Sequence, residues 1–146
     1  MMTRQARNMY PDAMPPSFHF RPYPANSLQA RARVVAIALL VDGETDDHEL
    51  AYLNDPAWLK ALDIDRTVFI EVLHDFCEDL AKITPSGIGY PLRDNELLAM
   101  LNEVSQPALQ SRLKEVTRHL IECDGKVSRQ EAQLWRKIIS SWQPAN

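Results

Sequence analysis

A helix junction is written twice in this chain, from Asp42 to Glu49 and again from Asp124 to Glu131. Each copy ends an apolar helical run with Asp-Gly, then supplies a capping residue, then places Glu three residues after that cap. The offset is constant at 82 residues (124 − 42 and 131 − 49), and it also relates Val34 to Val116, Ala38 to Leu120 and Leu39 to Ile121. One copy would be an ordinary turn. Two in register predict an internally repeated helical domain with acidic corners at equivalent positions.

The remaining sequence fits that expectation. With 146 residues there is material for one domain, and an apolar content of 45% can supply its core. Glycine occurs only 4 times, and β-branched residues show little strand-like alternation. Half of the ten prolines fall in residues 1–27, at Pro11, Pro15, Pro16, Pro22 and Pro24. Proline lacks an amide donor and locks φ, so this stretch is expected to be an extended tail. Its Phe18, Phe20 and Tyr23 are the groups able to dock on a groove of this protein or of a partner. Residues 28–146 are expected to form the folded domain.

Helical spacing then recurs to the end of the chain. Ser27 is placed to cap a run with Val34, Ile37, Ala38 and Val41 on one side, and Gly43 to stop it. Asp46 starts a short helix, and Asp55-Pro56 starts another carrying Trp58, Leu59 and Leu62. Asp65 caps the clearest amphipathic helix, with Phe69, Val72, Leu73, Phe76 and Leu80 inward. Its outer face carries Glu71, His74, Asp75, Glu78 and Asp79. Pro85, Gly87, Gly89 and Pro91 make a loop of residues 84–92. Helices from about Asp94, from Pro107 and from Ser128 complete an all-α bundle of about seven helices with a pseudo-twofold repeat. Trp58, Trp135 and Trp142 sit at core spacing, with Trp142 the best placed for an exposed contact. Cys77 and Cys123 lack a closely spaced partner and read as small buried hydrophobes.

The junctions have a structural and a chemical reading. Gly43 and Gly125 suit the left-handed turn that ends a helix. Asp46 with Glu49, and Ser128 with Glu131, then form capping boxes, and Val127 is placed to staple the second turn. Asp42 and Asp124 are not explained this way, because a carboxylate beside a helix C-terminus is unfavourable. Metal binding would explain them. From Asp to Glu both segments match the second half of a calcium-binding helix-loop-helix loop. The first half does not: where oxygen ligands are needed the chain has Ala38 and Leu40, and later Leu120 and Glu122, of which only Glu122 carries one. A standard calcium loop is thereby excluded, and a looser carboxylate site remains. Asp42, Glu44, Asp46, Asp47 and Glu49 crowd the first corner, whereas Lys126 and Arg129 dilute the second.

Val41-Asp-Gly-Glu-Thr-Asp-Asp-His-Glu49 and Cys123-Asp-Gly-Lys-Val-Ser-Arg-Gln-Glu131 resemble the paired motifs of the TerB-like (tellurite resistance protein B) family. The resemblance covers about residues 28–142. It implies an all-helical domain with an internal pseudo-twofold repeat, associated with bacterial resistance to tellurite and other stresses. Related domains also occur beside J-domains in membrane-anchored co-chaperones. By resemblance, metal binding falls to Asp42, Glu49, Asp124 and Glu131, with Lys126 departing from a symmetric pair.

Charge narrows the partners. The net charge is −4, but residues 1–27 carry +2, leaving −6 for the rest. That balance argues against nucleic acid and suits a divalent cation (Ca, Mg, Mn or Zn) or a basic protein partner. The longest apolar run, Val34 to Val41, is too short to span a bilayer, and a cytoplasmic location is expected. No phosphate loop, nucleophile elbow or paired-cysteine zinc pattern appears. Glu71-x-x-His74 is half of a di-iron motif, but Glu115 and His119 are four apart and supply no second copy. The function expected is a non-enzymatic domain that presents its acidic corners to a divalent metal or a basic protein partner, with Asp42, Glu44, Asp46, Glu49, Asp124 and Glu131 the candidate metal ligands. The alternatives are a metal-dependent enzyme using Glu71, His74 or the acidic corner, and a co-chaperone-type scaffold.

Overall fold

The computed structural model describes residues 20–41, 47–83, 94–122 and 125–142, with the backbone alone for 47–50 and 83. These residues form seven helices and no strand: α1 Leu28–Leu40, α2 Asp47–Asn54, α3 Ala57–Leu62, α4 Arg66–Ile83, α5 Asp94–Leu101, α6 Pro107–Glu122 and α7 Arg129–Ser141. The all-α expectation therefore holds. The junction ends keep the repeat spacing: α1 and α6 stop 82 residues apart (122 − 40), and α2 and α7 start 82 apart (129 − 47).

Helix α1 is the centre of the bundle. Ser27 caps it, its side chain accepting the Ala30 amide at 3.1 Å. The spacing predicts one apolar stripe, but α1 is buried nearly all round, through Ala30, Ala32, Val34, Val35, Ala36, Ile37, Ala38 and Leu39. A helix apolar on every side must be enclosed. Accordingly α4, α5 and α6 all pack on it, and α7 packs across α5 and α6. Its alanines let these neighbours come close.

Helix α4 turns Phe69, Val72 and Phe76 inward, with Leu73 and Leu80 half-buried against the core. Asp65 caps it by accepting the Val68 amide at 2.9 Å. Glu71, His74 and Glu78 face outward as expected, but Asp79 does not; it is buried at 1% exposure. Cys77 also departs from expectation. It lies three residues after His74, on the outward side, and its thiol is exposed. Partial burial still pushes that thiol's pKa above the usual cysteine range. Cys123 falls outside the described residues.

The tryptophans are core residues. Trp58 meets Phe69 edge-on at 4.9 Å and donates its indole N–H to the Leu53 carbonyl. Trp142 is buried rather than exposed: the end of α7 closes on the end of α5, and the Trp142 Nε1–H donates to the Leu101 carbonyl at 3.1 Å.

Residues 21–24 form neither helix nor strand, as their prolines require, and 25–26 turn into α1, but the segment is seated on the bundle. Phe20 is 1% exposed, its ring centroid 5.6 Å from that of Phe76. Asn26, at φ 60°, lies in the left-handed region that asparagine tolerates. There its backbone N–H donates to the Glu103 carbonyl, while its Oδ1 accepts the Ser105 and Gln106 amides ahead of α6. Phe18 is outside the described residues.

Beneath this strap lies a buried charge. Arg33, 1% exposed within the apolar α1, ion-pairs with Glu103, donates to the Arg21 carbonyl at 2.5 Å, and sits 4.4 Å over the Tyr23 ring. Glu103 also accepts the Tyr23 amide at 2.9 Å. One arginine and one glutamate thus tie the strap, α1 and the segment after α5 together.

Candidate functional site

Three places carry the polar chemistry: the repeated junctions, the outer face of α4, and a pocket between α1, α4, α5 and α7.

The second junction shows how the repeated motif is built. Gly125 adopts φ +77°, which an L side chain would resist, and its N–H donates to the Glu122 carbonyl. Ser128 caps α7 by accepting the Glu131 amide at 3.1 Å, and Glu131 Oε1 accepts the Ser128 amide at 2.9 Å. This is the expected capping box. Val127, placed to staple the turn, is 51% exposed. Glu131 is buried with one oxygen turned to the cap, so its carboxylate serves the turn directly. Ser128→Ala is expected to lower stability by about 1 kcal/mol in urea denaturation, the usual cost of losing an N-cap.

Asp42, Gly43, Glu44, Asp46 and Asp124 fall outside the described residues, as do the side chains of Asp47, His48 and Glu49. The flanking helices nevertheless place the first junction: α1 ends at Leu40 and α2 begins at Asp47.

On α4, His74, Asp75 and Glu78 offer ligand atoms within 4.8 Å of one another. Glu71 shares the exposed face but stands outside this group. A cation of the chain's own already lies against it. The Arg21 guanidinium grips Asp79 in a fork, Nε to Oδ2 at 3.1 Å and Nη2 to Oδ1 at 3.0 Å, and reaches Asp75 at 3.2 Å and Glu78 at 3.3 Å. The hydrogen bonds to Asp79 hold the Arg21 pKa above the usual guanidinium range. The sequence pattern assigned Asp79 to solvent because helical periodicity sees only its own helix. The basic residue directly after Phe20 was the available signal. Glu115 and His119 make no second ligand pair, since the His119 ring stacks on Tyr52 (5.7 Å, 4°) and its Nδ1 lies 2.9 Å from the Glu115 carbonyl oxygen.

The pocket has no counterpart in the sequence pattern. Its volume is about 590 Å³, and Ile37, Phe76, Leu97 and Leu134 give it an apolar floor. Its rim carries Asp94, Gln130, Gln133, Arg136, Lys137 and Ser140, and its α1 edge ends at Val41, one residue before the first acidic junction. Asp94 and Lys137 are paired across the rim at 2.8 Å. Apolar residues of four helices that each read as core leave this volume between them, which no single helix's pattern encodes.

Among the described residues no helix is long and apolar enough to cross a membrane. Compared with known proteins, the chain matches no family model, no curated protein and no solved structure.

Proposed function

We propose that this chain is a non-enzymatic, TerB-like binding domain of a stress-response assembly. Its first acidic corner is presented to a divalent cation or to a basic protein surface. The observation that carries this reading is the shortness of the first junction. Between the end of α1 and the start of α2 there are six residues, 41–46, and they include Asp42, Glu44 and Asp46. Asp47 and Glu49 follow in the first turn of α2, and no lysine or arginine interrupts the run from 42 to 49. Carboxylates this dense in sequence repel one another, and a cation would offset that repulsion. The second corner supports an asymmetric role: Glu131 closes the cap there, and Lys126 adds a positive charge.

The metal-dependent-enzyme alternative would use Glu71, His74 or the acidic corner, but Glu71 stands outside the group that His74 forms with Asp75 and Glu78, and that group lies on an open helix face beside Arg21. Enzyme sites are usually enclosed clefts.

Calorimetric titration with calcium, magnesium, manganese and zinc tests the proposal. Saturable heat is expected for at least one ion, with a dissociation constant on the order of 0.1–1 mM for a site with this few rigid ligands. The heat should disappear in the Asp42→Ala, Asp46→Ala double variant. Absence of heat at millimolar metal for the unaltered protein overturns the cation reading.

A further inference from the structure

We propose that the pocket between α1, α4, α5 and α7 binds a single-chain amphipathic anion, its apolar part on the floor and its carboxylate at Arg136. A volume of about 590 Å³ falls within the ~300–1,000 Å³ typical of small-molecule sites. The floor is apolar and buried, and it offers no buried charge that an apolar group would have to displace.

Orientation comes from the rim. Lys137 is neutralised by Asp94, whereas Arg136 makes no ion pair among the described residues. The described rim therefore carries one uncompensated positive charge in a chain whose net charge is −4. A planar guanidinium, with Gln133 also on the rim three residues before it on α7, suits a carboxylate, which takes two parallel hydrogen bonds. Both cationic groups belong to α7, while the acidic junction begins beyond Val41 at the α1 edge. The head group is thus placed on the α7 side. This site is independent of the cation corner proposed above, so either can fail without the other.

Binding of decanoate to the full chain, followed by calorimetry below its micelle concentration, tests the assignment. Saturable one-to-one binding is expected, with octanoate weaker by roughly fourfold for each missing methylene. Amide shifts in a nuclear magnetic resonance titration should centre on Ile37, Leu97 and Leu134. Arg136 is exposed, so Arg136→Gln should fold normally and bind decanoate about tenfold more weakly. It should bind decanol as the unaltered protein does, and Arg118→Gln on α6 should change nothing. The proposal is overturned if decanoate does not saturate, if Arg136→Gln leaves its affinity unchanged, or if acetate binds equally well. It is also overturned if the protein binds anionic phospholipid vesicles but no monomeric decanoate.

Discussion

Glu103→Ala is expected to cost about 3 kcal/mol of stability, the lower end of the range for stripping one partner from a buried ion pair. Arg33 is 1% exposed and Glu103 is 15% exposed, so the arginine left behind has almost no access to water. The same substitution removes the acceptor of the Tyr23 amide. For a chain of this length the loss corresponds to a fall of roughly 10 °C in Tm. Thermal and urea denaturation check it. The loss shrinks when both partners go: Arg33→Met with Glu103→Leu should recover most of it, because an apolar pair of similar volume needs no compensation for buried charge. If the double variant is no more stable than Glu103→Ala, the buried charge is not the cause.

Phe20→Ala should cost about 3–5 kcal/mol, as for other fully enclosed aromatic side chains. Its ring is seated on Phe76, beneath a strap that Arg21 pins to Asp79 and Asn26 pins to the start of α6. The effect separates two views of residues 1–27. A free extension could lose Phe20, or be cut away whole, with stability unchanged. A strap that completes the core could not, so removal of residues 1–27 should lower Tm at least as far as the point substitution. A deletion variant melting with the full chain would show that these contacts add nothing.

Much of the fold was legible because helix ends are local. Ser27, Asp65, Ser128 with Glu131, and Gly125 each act on amides or carbonyls within four residues, so spacing alone reveals them. The inward stripe of α4 was legible for the same reason, since a 3.6-residue period sorts Phe69, Val72 and Phe76 from Glu71 and His74. Asp79, Trp142 and Cys77 depart from the sequence pattern for the opposite reason. Asp79 is buried by an arginine 58 residues away, and Trp142 by a carbonyl 41 residues away. Cys77 looked like a small hydrophobe by type, yet its side of the helix decided its exposure.

The candidate sites divide in the same way. The carboxylate run at the first junction can be read from composition and spacing, and its neighbouring helix ends fall where that reading places them. The pocket could not be read at all, because it is a mismatch between four helix surfaces, each apolar for the ordinary reason that it faces a core.

What the amino-acid order determined by itself was the set of helices, their caps and the spacing of the two junctions, since those depend on contacts a few residues long. Only the tertiary structure decided that the strap belongs to the core, that Arg33 is enclosed within it, and that a cavity remains beside α7. Each of these depends on groups brought together from distant parts of the chain, where the energy lies in burial and charge pairing rather than in any local pattern.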